Sequence, residues 1–262
     1  MANFLVRYRE KLMRRSEAIP PALERIALAL AIGWAGVFFL FASLRILASP
    51  RFANDSSQWL GVLLPYAAIA LAPLAGFVIG EAAFPRGHRT DRSLALSRWG
   101  RWRQLRIGEV RLHRLFGPAG FMASLLVGLL LNVVIRSGEF LLSIPALASD
   151  APAWARELFL LMAADVAVMG FFYMVSFAFA LRSVTLFPRM LAFTWLLDVA
   201  IQLLIAQRIG AMPGLPAEVA APLADLLRGN IQKVLISAFV WLPYLILSER
   251  VNVTYRHRTR AD

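Results

Sequence analysis

The chain has 262 residues, 59% of them hydrophobic and 17% charged, with a mean hydropathy of +0.63. A soluble domain of this size needs far more polar surface than that, and the absence of cysteine excludes disulfides, thiolate nucleophiles, iron–sulfur sites and thiolate-bound metals. The net charge of +12 is assigned to membrane topology and anionic headgroups rather than to nucleic acid.

Continuous apolar runs near 20 residues give enough helix, at about 1.5 Å per residue, to cross about 30 Å of hydrocarbon. Barrel strands would alternate instead. Residues 1–25 are polar and basic, with Arg7, Arg9, Lys11, Arg14, Arg15 and Arg25. The first span is expected over Ile26–Leu44. Both the basic stretch and the apolar run are too long for a cleaved secretory leader, so the span is read as retained. The second span runs from Trp59 to Gly80 and contains Pro65 and Pro73. These prolines either break the helix, as in transporters, or are accommodated by its neighbours.

An Arg-rich loop follows, from Arg86 to Arg114, with nine Arg against Asp91 and Glu109. Trp99 and Trp102 are interleaved with Arg98, Arg101, Arg103 and Arg106. Guanidinium groups pair with phosphates and tryptophan sits at headgroup depth, so these six residues are expected to contact anionic lipid or an acidic partner. Leu96, Trp99 and Trp102 can share a helical face, whereas the later apolar positions alternate like a strand.

The third span is expected from Pro118, suited to a first helical turn, to Ile135. The fourth covers Leu158–Leu181 and the fifth Arg189–Ile209. Gly210–Asn230 reads as a loop with a short surface helix at Ala217–Leu227. The sixth span covers Ile231–Leu247, and a basic tail follows. With both termini cytoplasmic, 21 of the 28 Lys and Arg fall on the inner side, as the positive-inside bias requires. Arg136 counts among the seven outside. The expected fold is an all-α polytopic bundle in three parts: residues 1–85 as a basic segment and a two-helix hairpin, 86–115 as the loop, and 116–262 as a four-helix unit.

The last span leaves lipid through Trp241-Leu242-Pro243-Tyr244-Leu245-Ile246-Leu247-Ser248-Glu249-Arg250-Val251-Asn252-Val253-Thr254-Tyr255. With Phe187-Pro188, this stretch resembles the bacterial family known as domain of unknown function 2569, over about residues 117–256. Leu242 and Tyr255 stand where the family pattern has Ile and Phe. The resemblance implies a small inner-membrane protein with four helices in the matched part, and no activity. By their own chemistry, Trp241, Pro243, Tyr244, Ser248 and Arg250 read as an interfacial anchor with a proline kink, or as a docking site around Arg250.

His88, His113 and His257 lack metal-ligand spacing, and no phosphate loop, nucleophile elbow or dinucleotide fingerprint occurs. No enzyme, metal or cofactor is expected. The chemistry-bearing candidates are polar residues inside spans, because a charge at the bilayer centre costs about 2.5–3.5 kcal/mol on the insertion scale. They are Asp165 in the fourth span, Asp198 and Gln202 four apart in the fifth, and Asn132 near the outer end of the third. The two carboxylates are close enough in depth to meet and to hold a proton between them, or to act as polar glue. Small residues at Gly170, Ser176 and Ala178 permit close packing. Two functions follow: a non-enzymatic assembly or regulatory subunit of an envelope complex, which is preferred, or a small proton-coupled transporter or channel.

Overall fold

In lipid a backbone must satisfy its own hydrogen bonds, so each apolar run becomes a helix. A computed structural model describes residues 2–48, 59–84, 101–146 and 151–261, excepting the side chains of 2–15, 59–62 and 107. The elements are α1 (Ala2–Leu47), α2 (Trp59–Ala83), β1 (Trp102–Gln104), α3 (Ile107–Leu112), α4 (Phe121–Ser143), α5 (Ala153–Leu181), α6 (Phe187–Gly210), α7 (Ala217–Leu247), α8 (Glu249–Arg256) and β2 (Arg258–Arg260). Six of these helices are long and apolar enough to span a membrane. The chain is an all-α, multi-pass integral membrane protein.

Helix α5 is the axis of the bundle. Of its most apolar stretch 61% is buried inside the protein, against 11% for α7. Its sequence is apolar all round, as a helix enclosed by others must be. It packs most extensively on α2, and glycines explain why. A Cβ on Gly76 would stand 2.3 Å from the Phe171 carbonyl oxygen, and one on Gly80 would stand 2.9 Å from Ala178 Cβ. From the other side Gly170 receives Pro73, whose Cγ lies 3.2 Å from the position of a Cβ there. Gly170 and Ala178 therefore serve close packing as expected, and Ser176 shares a hydrogen bond of 3.1 Å with Thr194 of α6. Helix α2 stays continuous through Pro65 and Pro73. Because α2 lies along α5, the second span is part of the bundle's core seam.

Several boundaries differ from expectation, the start of α5 at Ala153 rather than Leu158 among them. The first helix continues back from Ile26 to Ala2, through Pro20 and Pro21. Pro118 does not open a helix; it sits in a turn, and α4 starts after Gly120, at φ +66°. Helix α4 runs on past Ile135 to Ser143, which brings Arg136 inside a span. The short helix at 217–227 is not separate either: α7 is one 31-residue helix with Pro222 and Pro243 inside it.

The basic tail folds back onto the bundle. Strand β2 pairs antiparallel with β1, Trp102 opposite Arg260 and Gln104 opposite Arg258. The loop reverses the expectation: Trp102, grouped with a helical face, lies in the strand, whereas Ile107, Val110 and Leu112, whose alternation suggested a strand, lie in helix α3. Between α7 and this strand, residues 251–255 of α8 are all buried. The Tyr255 hydroxyl donates to the Ala180 carbonyl at 2.8 Å, and its ring lies 4.9 Å from that of Phe187. Thr254 Oγ1 accepts the Gly117 N–H at 3.0 Å. Asn252 Nδ2 donates to the Ile246 and Ser248 carbonyls, while its Oδ1 accepts from Arg256 and Arg258. Burial and the nearby Arg258 and Arg189 charges lower the Arg256 guanidinium to about 10. Ser16 of α1 accepts the Gly120 N–H at 3.1 Å, so the start of the first span and the tail lie at the same end, here termed the cap end.

The seam predicts a packing contrast. Gly76→Ala should lower the thermal midpoint in detergent, at a cost of about 1–3 kcal/mol for overpacking. Gly33→Ala, with nothing within 4 Å of its added methyl, should not.

The cap predicts a pH dependence. Thr259 Oγ1 donates to Glu249 at 2.7 Å. That bond, helped by the Arg260 N–H, holds the Glu249 carboxyl below its ordinary value of 4.5. Its contribution is therefore present above that value and is lost as pH falls through the depressed one. Amides of residues 260–261 should be protected from hydrogen exchange at pH 7. They should lose protection in acid, and at pH 7 in Glu249→Gln.

Candidate functional site

Arg136 is placed by the register of α4, on the same stripe as Leu129 and Val133, and faces α5 and α6 rather than lipid. Its side chain is 11% exposed. Nη2 donates to both oxygens of Asp165 at 2.8 Å and to Asp198 Oδ1 at 2.9 Å, and Nη1 donates to Asp198 Oδ2 at 2.8 Å. One guanidinium thus holds carboxylates from two further helices. Gln202, one turn from Asp198, donates through Nε2 to Asp165 at 3.0 and 3.1 Å. Tyr173, two turns from Asp165, donates its hydroxyl to Asp198 at 2.8 Å.

The expected meeting of Asp165 and Asp198 occurs, but a guanidinium rather than a shared proton lies between them. The reason is charge: a fixed cation compensates buried carboxylates more effectively than partial protonation does. Arg136 was misplaced because an arginine after an apolar run looks like a helix end. It lies about 10 Å inside the end of α4. With every group ionised, the triad carries one positive and two negative charges, a net of one negative. The donated hydrogen bonds from Tyr173 and Gln202 spread that excess.

Asn132 does not bond either carboxylate. With Arg136 it borders a cavity of about 170 Å³ between α4 and α7, which also meets Glu139, Lys233 and Ser237. Asn132 Nδ2, Arg136 Nε and Gln202 Oε1 are buried and without a hydrogen-bond partner. At its outer edge Lys233 pairs with Glu139 at 2.7 Å.

The other candidates do not gather here. Arg98 and Trp99 lie outside the described residues. Arg101, Arg103 and Arg106 are exposed on the cap. Trp102 is partly buried, with the Arg258 guanidinium 4.8 Å from its ring centroid. Trp241 and Tyr244 pack on Phe121 of α4, at 4.5 and 5.0 Å between centroids, so they join helices. Ser248 is the break between α7 and α8, and Pro243 lies within α7, about one turn before that break. Arg250 Nη1 reaches the Gly117 carbonyl at 3.4 Å. Among the described residues no group of His, Asp or Glu is arranged to hold a metal.

Comparison with protein-family models, with curated proteins and with solved structures gives no match. The resemblance drawn for residues 117–256 is neither supported nor contradicted by it.

The triad makes a specific energetic prediction. Arg136→Met leaves two buried carboxylates uncompensated and should cost about 3–5 kcal/mol. Adding Asp165→Asn and Asp198→Asn removes the stranded charge while keeping size and hydrogen-bonding capacity, and should restore most of the thermal stability. A triple variant no more stable than the single one would show that the arginine acts by packing.

Proposed function

We propose that the protein is a small proton-linked transporter or channel working through Arg136, Asp165 and Asp198. One observation carries the reading: an arginine clamped between two carboxylates at membrane depth borders a polar cavity. Such a site has two arrangements of similar energy. With both aspartates ionised, the guanidinium holds α4, α5 and α6 together. When one takes up a proton, its hold on Arg136 weakens, and the helices it joined are free to shift. The excess negative charge makes proton uptake the natural compensation. The cap end faces the cytoplasm of a bacterial inner membrane in this reading, as the distribution of Lys and Arg favours. The absence of any recognisable catalytic motif supports a protein that is not an enzyme.

A second reading has its own support. Both carboxylates already find partners without a ligand, as polar glue would, and the cap presents Arg101, Arg103, Arg106 and Arg111 around Leu112, which is 89% exposed. That surface suits a non-enzymatic assembly or regulatory subunit of an envelope complex, resting on anionic lipid or on an acidic partner.

Flux through purified protein separates the two. In liposomes under an imposed membrane potential, a pH-sensitive dye should report proton entry with the wild type. Asp165→Asn and Asp198→Asn should insert and purify normally and yet conduct no better than empty liposomes. Wild-type protein that conducts no more than empty liposomes would remove the transport reading and leave the subunit one.

A further inference from the structure

The cavity beside the triad changes character along its length. Toward the far end, remote from the cap, it is bordered by Asn132, Arg136, Glu139 and Lys233; toward the cap end it is bordered by Leu125, Leu129 and Trp241. The residues on α4 follow one helical face, from Leu125 to Glu139, so the gradient runs over about 21 Å of helix. Helix α7 packs along α6 and meets α4 at Trp241 on Phe121 and at Lys233 on Glu139, which leaves the crevice as a gap between those two contacts. From Arg136, about 10 Å inside the far end of α4, the polar part of the crevice runs outward through Glu139 toward that end.

Two donors in that polar part, Asn132 Nδ2 and Arg136 Nε, are buried and unpaired. A buried donor left unmet is costly, so an acceptor oxygen belongs there. Beyond them Lys233 and Glu139 offer one charge of each sign, 60% and 37% exposed.

We infer that this crevice holds one glycerophospholipid with a zwitterionic head. One acyl chain lies against Leu125, Leu129 and Trp241. Its ester carbonyl, an acceptor with no donor of its own, meets Asn132 and Arg136. The amine and phosphate of the head meet Glu139 and Lys233. The site is distinct from the proton-linked reading of the triad, since it uses Arg136 Nε, which bonds neither aspartate, while Nη1 and Nη2 hold the carboxylates.

Native mass spectrometry of full-length protein tests the inference, after exchange into diacyl phosphatidylethanolamine and extensive detergent washing. One retained lipid per chain is expected. The diether analogue, which lacks ester carbonyls, should be retained about tenfold less, the factor that about 1.4 kcal/mol represents. Asn132→Leu should lose ester over ether preference while staying folded, and Leu129→Trp should fill the chain-binding part and abolish retention. Asp198→Asn should retain the lipid whatever it does to proton flux, so the two readings can fail separately. No retained lipid, equal retention of ester and ether forms, or occupancy by a small polar solute without an acyl chain would each overturn the inference.

Discussion

A buried arginine shared by two aspartates is the constraint around which this bundle is arranged. In hydrocarbon each of the three charges alone would be costly, and together they are tolerable only if the helices that carry them stay in register. Arg136, Asp165 and Asp198 come from three different helices, so the pairing fixes the relative depth of α4, α5 and α6 at one level. The Tyr173 and Gln202 bonds are made within the same level. Lipid offers little hydrophobic drive for helix association, and directional polar contacts supply specificity in its place.

The other half of the bundle is held differently. Along α2 and α5 close backbone approach, with Gly76 on the Phe171 carbonyl and Gly80 on Ala178, is interleaved with ring pairs, Phe77 on Phe177 and Phe84 on Phe179. Dispersion over a close seam takes the place of a buried charge cluster. Toward the far end Tyr66 meets Phe38, Phe140 and Phe159, at 6.5, 5.9 and 5.5 Å between centroids. Glu81 and Arg182 join α2 to the end of α5 at 3.2 Å. One side of α5 is thus rigid by shape and the other by charge, which leaves the charged side as the one a proton can loosen.

Much of this was readable in the residues, and the failures have identifiable causes. Span number and helical class follow from run length alone. Asp165, Asp198 and Gln202 stand out because polar groups in apolar runs need partners, and α5 and α6 do bring them together. Arg136 was missed because a rule about flanking charge assumes that arginine stays outside. The signal against that assumption was present: Glu139, Phe140, Leu141 and Leu142 continue the helical pattern for nearly two more turns. Gly76 and Gly80, four apart in an apolar run, carry the small-residue spacing of a close helix pair. Pairing of residues 102–104 with 258–260 could not be read, because strand partners distant in sequence are chosen by the folded bundle that brings them close.

The cap also sets an order of events. Strand β2 leaves the ribosome only after all six spans have been made, while its partner β1 emerges after two. The intervening helices must be threaded and gathered before residues 258–260 can reach Trp102, and Tyr255 can seat on Ala180 only once α5 and α6 are adjacent. Closure of the cap therefore comes after all six spans have been made and gathered. A chain without residues 251–260 keeps every span and yet leaves β1 without its strand partner, so the pairing reports on the assembly of the bundle rather than on any one helix.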